Sequence, residues 1–267
     1  MSEIWSAILV FVLLLASTAI GVLVKPLLPE EHKAHETVQL MQLVMGMLIT
    51  FAALVLGLMT TSARNHFDSV TNDIRAYSAD LIQLDVTFRE YGADMDFARR
   101  NLRAYTAAAI ATTWPDEIRP AGDYYPKDIP AENNQEKLED FRLGAMLHAT
   151  EQQVRRVSPH DAFHQSLLDV SLTQFDRVIQ ARWKLIEEAH SSISLPFFSM
   201  LALWLMIIFL SFGLVAPRNA LALVTITLGA LSIASSLYVI VDLDTPFTGP
   251  IVVASQPMRD ALMHMNR

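Results

Sequence analysis

The sequence predicts an all-α membrane protein, with four transmembrane helices in two hairpins and a helical domain inserted between the hairpins. Three observations predict it. Four runs carry no charge and each is one bilayer thick: Ile4 to Val24, Leu43 to Thr61, Leu195 to Ala216 and Ala220 to Val241. At about 1.5 Å rise per residue, such runs cross a ~30 Å hydrocarbon core. The stretch between the second and third runs places apolar residues three and four apart, and no segment shows strand alternation.

The first run follows MSEIW, which carries Glu3 and no basic residue. A secretory signal wants a basic start and a short apolar core, so the run reads as a retained span. KPLLPEEHKAHETVQ then connects it to the second run. No Pro or Gly intervenes from Thr60 to Tyr91, which predicts that span two continues as one helix until Gly92 stops it. Along that extension Phe67, Val70, Ile74, Tyr77, Leu81, Leu84 and Phe88 mark a buried face.

A second helix of the insert is predicted over about 94–113, ending before Pro115. WPDEIRPAGDYYPKDIPAENNQ, with four prolines, reads as a loop. Helices follow over about 135–157 and from Asp161 to Ser192. The last holds Phe163, Leu167, Val170, Leu172, Phe175, Val178, Ile179, Trp183 and Ile186, and leads into span three through Pro196. Only Pro217, Arg218 and Asn219 separate spans three and four, so these are antiparallel neighbours. The expected organisation is a transmembrane hairpin in 1–61, a helical domain in 62–194, a second hairpin in 195–241 and a tail in 242–267.

Charge near the span ends sets orientation. Arg64, Arg75, Arg182, Lys184 and Arg259 lie on the insert's side, against Lys25, Lys33 and Arg218 on the other. The bias places the insert and both termini in the cytoplasm. The insert holds 21 Asp/Glu and 15 Lys/Arg, a net charge of −6, which is the wrong sign for a nucleic-acid partner. With no cysteine, disulfide and thiolate chemistry are excluded.

Candidate chemistry is sparse. His160 and His164 share a helix face with Asp161 between them and His148 upstream, but no second ligand pair stands at metal spacing, so capping or surface roles are expected. Asp80 with Asp85, and Asp94 with Asp96, read as charged helix faces rather than acid–base pairs. No phosphate loop, nucleophile elbow or dinucleotide fingerprint occurs, no cofactor is expected, and none of the four runs contains a carboxylate, histidine, lysine or arginine.

Span two differs from the others. Gly46, Ala53, Gly57 and Thr60 recur with Thr50 and Arg64 as a small-residue stripe. Such a stripe serves either close helix packing or a pore face. In the second case Thr50, Leu54 and Leu58, stacked one turn apart, make an apolar constriction. Span four ends in VDLDTPFTGPI. Its Asp242 and Asp244 either cap helix ends, pair with Arg64 or Arg259, or remain solvated at an interfacial turn, while Pro246 fixes φ and Gly249 permits a tight bend before Pro250.

LVLGLMTTSARNHFD (54–68) is similar to the segment of bestrophin channels where span two leaves the membrane as a long helix. Asp244, Pro246, Phe247 and Gly249 resemble the turn after that family's fourth span. DLDTPFTGPI followed by PMRDAL most resembles a bacterial bestrophin-like group. The resemblance implies a homopentameric ion channel of a bacterial inner membrane, with Thr50, Leu54 and Leu58 as pore neck, and lipids and small inorganic ions as partners. It also implies a tail folded back on the helices near the membrane exit. Two departures matter. Thr and Leu stand where bulkier residues are usual, and two aspartates cannot supply the six to eight oxygens of a Ca²⁺ site, so no metal is expected. The acidic insert favours cations, with selectivity open. The competing reading is a membrane-anchored signalling or scaffold protein whose insert binds a partner; an enzyme acting near Trp114 to Tyr125 ranks third.

Overall fold

A computed structural model describes residues 3–27, 29, 35–121, 141–189, 195–217 and 219–267. Among these the chain is helical and contains no strand. The helices are α1 (Glu3–Val24), α2 (His35–Tyr91), α3 (Asp96–Thr113), α4 (Phe141–Val154), α5 (Ala162–Glu188), α6 (Leu195–Val215), α7 (Ala220–Leu243) and α8 (Gln256–Met265). Four of them, α1, α2, α6 and α7, are long and apolar enough to cross a membrane. The chain divides into two compact units: Met1–Phe67 with Ser191–Val252, and Asp68–His190 with Val253–Arg267.

The first unit contains α1, the start of α2, α6 and α7. Its core joins Val10 and Leu14 of α1, Ala52, Met59 and Ala63 of α2, Leu201, Leu205 and Phe209 of α6, and Ala230, Leu237 and Ile240 of α7. Between helices in lipid the hydrophobic effect offers little, so close packing must hold them. Gly21 of α1 and Gly213 of α6 provide it. A Cβ at either glycine would strike the other helix's backbone, at the Leu210 or Thr18 carbonyl oxygen and about as close as 3.0 Å from the facing glycine Cα. Lys25, just beyond α1, donates to the Ala216 carbonyl at 2.7 Å and so caps the end of α6.

The second unit is built on the remainder of α2, a 57-residue helix in all. Of the face the sequence marks, Val70, Ile74, Tyr77, Leu81, Leu84 and Phe88 are buried, while Phe67 is partly buried and packs with the first unit's core. Fully burying side chains of this size contributes about 1.5–3 kcal/mol each. Helix α2 ends where predicted because Gly92 takes φ +103°, a conformation that L side chains rarely adopt. Leu102, Tyr105 and Ile110 of α3, Leu143 and Leu147 of α4, and Phe175, Val178 and Leu185 of α5 are among the residues buried with them. The expected apolar face of α5 needs correction: Phe163, Val170 and Trp183 are exposed, whereas Arg182 is buried. Most of the proline-rich loop, and His32, lie outside the described residues.

Helix α8 was not expected. It opens with Pro257 in its first turn and buries Met258, Ala261, Leu262 and Met265. The tail is tied to α3 and the segment after it: the Trp114 indole donates to the Val253 carbonyl at 2.7 Å, and Arg259 donates twice to Glu117 Oε2, at 3.1 and 2.8 Å. Ser255 also donates to that oxygen. At the other end Arg99 donates to both Asp85 oxygens, at 3.0 and 3.2 Å, and at 3.4 Å to the Met265 carbonyl.

Candidate functional site

The face of α2 that packs into the first unit is set by Met45, Ala52, Met59 and Ala63. At 3.6 residues per turn, Thr50, Leu54 and Leu58 stand about 140°, 180° and 220° around the helix from Met45. They are accordingly exposed on the single chain, Leu54 at 60% and Leu58 at 63%. Gly46, Ala53, Gly57 and Thr60 are exposed as well, and a Cβ at Gly46 or Gly57 would meet nothing within 4 Å. Within one chain, the small-residue stripe is therefore not a packing face.

Hydroxyl chemistry along this face is specific. Thr50 donates to the Gly46 carbonyl at 2.9 Å, Thr60 to Leu56 at 2.7 Å and Thr61 to Gly57 at 2.9 Å. Each hydroxyl proton is spent inside the helix, so outward these residues offer oxygen lone pairs and a methyl. Thr61 lies about 160° from Met45, on the same line as Leu54. Sequence reasoning named Thr60 and passed over Thr61, although the seven-residue step from Leu54 is visible.

The contrast with α1 is plain. Its exposed residues are mostly bulky, among them Ile4, Trp5, Ile8, Leu9, Val12, Ile20 and Leu23, with Ala16 and Ala19 the small exceptions. Helix α2 also exposes bulky residues such as Val44, Met47 and Phe51, and it adds exposed small and hydroxyl-bearing residues along the same side.

The turn after α7 is built around its two aspartates. Helix α7 extends through Leu243, so Asp242 is helical, and both Asp242 and Asp244 are buried. This overturns the solvated alternative. Asp242 Oδ2 accepts from the Ile251 amide at 3.0 Å, closing a loop of ten residues across the turn. Asp244 is the C-cap of α7, Phe247 is buried, and Gly249 adopts φ +83° between the prolines. Arg259 pairs with Glu117. The Asp242 carboxylate, held by a backbone amide nine residues on, ties the two sides of this turn together.

The other candidates resolve into structural roles. Asp161 is the N-cap of α5, accepting from the His164 amide at 2.8 Å, and these His164 bonds lower its pKa. His160 Nε2 lies 3.0 Å from Asp94, and His148 contacts Gln152 and Glu151. Among the described residues no group of His, Asp or Glu has metal-holding geometry. Asp85 is held by Arg99, while burial raises the pKa of Asp80 against the opposing charge of Arg177. A buried tyrosine pair, Tyr77 and Tyr105, shares a short hydrogen bond, and burial raises both phenol pKa values.

A family model for the Bestrophin-like domain matches residues 11–258. The chain belongs to the Bestrophin-like family. Solved structures of a bacterial bestrophin homologue from Klebsiella pneumoniae share the fold at low identity. One variant aligns with TM-score 0.64 and 15% identity, covering 100% of this chain and 99% of that one. Another aligns at 0.61 and 14%, covering 97% of each, and the form phased on zinc at 0.62 and 15%, covering 97% and 96%. Among curated proteins none matches.

Proposed function

We propose that this Bestrophin-like chain assembles as a homopentameric ion channel in a bacterial inner membrane, with α2 lining the pore. The observation that carries the reading is the line of Thr50, Leu54 and Leu58. It stands opposite the packed face of α2, is uncharged, and is open on the single chain. A ring of such leucines makes an apolar constriction, which gates by wetting and dewetting.

The insert and both termini face the cytoplasm in this reading, as the basic residues near the span ends favour. Selectivity tilts towards cations for two reasons. The insert is acidic, and the threonine hydroxyls have donated inward, leaving acceptor oxygens for a passing ion. In this reading the acidic helices, within domain boundaries near residues 61, 194 and 241, lie at the inner mouth.

The test is flux through the purified protein in liposomes, with Leu54→Ala/Leu58→Ala beside the native chain, and the oligomer's mass in detergent. A pentamer whose flux rises in the double variant supports the reading. A monomer that passes no ion under any salt condition, and whose insert retains a soluble partner, favours the scaffold instead.

A further inference from the structure

We propose that Asp73, Glu188 and Lys184 form a proton-operated clasp between the extension of α2 and the last turn of α5. Lys184 Nζ donates to Asp73 Oδ1 at 2.7 Å, and Glu188 Oε1 lies 3.8 Å from the same ammonium. Glu188 Oε2 is buried, and among the described residues no donor reaches it. The group beside it is the Asp73 carboxylate, itself only an acceptor when ionised. One ammonium is thus shared by two carboxylates, and one carboxylate oxygen has no donor among the described residues.

A proton supplies what is missing. Protonated, Glu188 becomes a donor to Asp73 while Asp73 keeps its bond from Lys184, and the triad changes from a net charge of −1 to zero. Helix polarity acts in the same direction, because Glu188 is the last residue of α5 and sits at the negative end of its dipole. The charged groups acting on Glu188 are Asp73 from α2, and Lys184 and Glu187 from its own helix. Ser69 of α2 reaches Asp73 Oδ2 at 3.5 Å.

Burial first, and then the hydrogen bond and charge of Asp73, push the Glu188 pKa from 4.5 up to about 7, with Lys184 opposing. The bond to Asp73 raises the pKa of Lys184, which stays charged throughout. Between 4.5 and about 7 the folded chain therefore binds more protons than the unfolded chain. Stability consequently falls as pH rises through that window, and the clasp is closed below about 7 and opens above it. The clasp does not require a channel; only its effect on permeation rests on that reading.

Amide exchange of the full-length protein in lipid nanodiscs, corrected for intrinsic rates, tests it between pH 5.5 and 8.5. The native chain should lose protection in the last turn of α5 several-fold from pH 6 to 8. E188Q, with a permanent neutral donor, should keep acid-like protection throughout. D73N should move the step to lower pH, because the bond and charge of Asp73 no longer add to the effect of burial on Glu188. A native chain without a step, or a step of equal size in E188Q, overturns the clasp. An intact step in a protein that passes no ions supports the clasp and counts against the channel.

Discussion

Two pairs of glycines in the membrane helices face opposite surroundings. Gly21 and Gly213 meet each other where α1 crosses α6, and a Cβ on either would enter the partner's backbone. Gly46 and Gly57 on α2 open onto nothing in their own chain. The residue type is the same, and so is the apolar setting. The difference is that the first pair belongs to the fold of one chain, whereas the second waits for lipid, ions or another copy. A small-residue stripe thus reports that something comes close, not what it is.

The largest effect is expected at the filled pair. Gly213→Val should overpack the α1–α6 crossing by about 3 kcal/mol or more, read as loss of folded protein in detergent, with Gly213→Ala intermediate. A similar loss is expected where a buried polar site is emptied on one side. Asp85 is only 4% exposed in its side chain, so Arg99→Met leaves a buried charge without its bidentate partner. That should cost about 3–5 kcal/mol, seen as a lower unfolding midpoint. Tyr105→Phe removes one hydrogen bond from the buried tyrosine pair and should cost about 1 kcal/mol. The smallest change, and one of opposite sign, belongs to the open pair. Gly57→Ala removes a helix-weakening glycine and should be neutral to stabilising by up to about 1 kcal/mol. If Gly57→Ala instead dissociates the oligomer, a neighbouring helix packs there and the open pair is a second crossing.

The same contrast explains what was legible in the sequence. Span positions, the unbroken run of α2 to Tyr91 and its stop at Gly92 follow from hydropathy, period and a single glycine. The buried face of the α2 extension was readable residue by residue because soluble packing imposes a period. Crossing partners were not readable: nothing in ASTAIG or LSFGLV says that Gly21 meets Gly213, since contact between distant helices leaves no local mark. Arg182 escaped for a related reason, as its burial depends on α5 neighbours that no local pattern names. Helix α8 was within reach, for Met258, Ala261, Leu262 and Met265 repeat at helical spacing after a proline. For the candidate site, spacing alone gives the line of Thr50, Leu54 and Leu58, but its exposure opposite the packed face needed the structure.

The absence of native cysteine makes the central claim directly testable. Single substitutions Thr50→Cys, Leu54→Cys and Leu58→Cys would be compared with Leu9→Cys and Val12→Cys on α1, using a charged thiol reagent during ion flux through the reconstituted protein. If the open face of α2 lines the pore, the reagent changes flux in the α2 variants and leaves the α1 variants untouched. Flux that is insensitive to the reagent at all three α2 positions would contradict it.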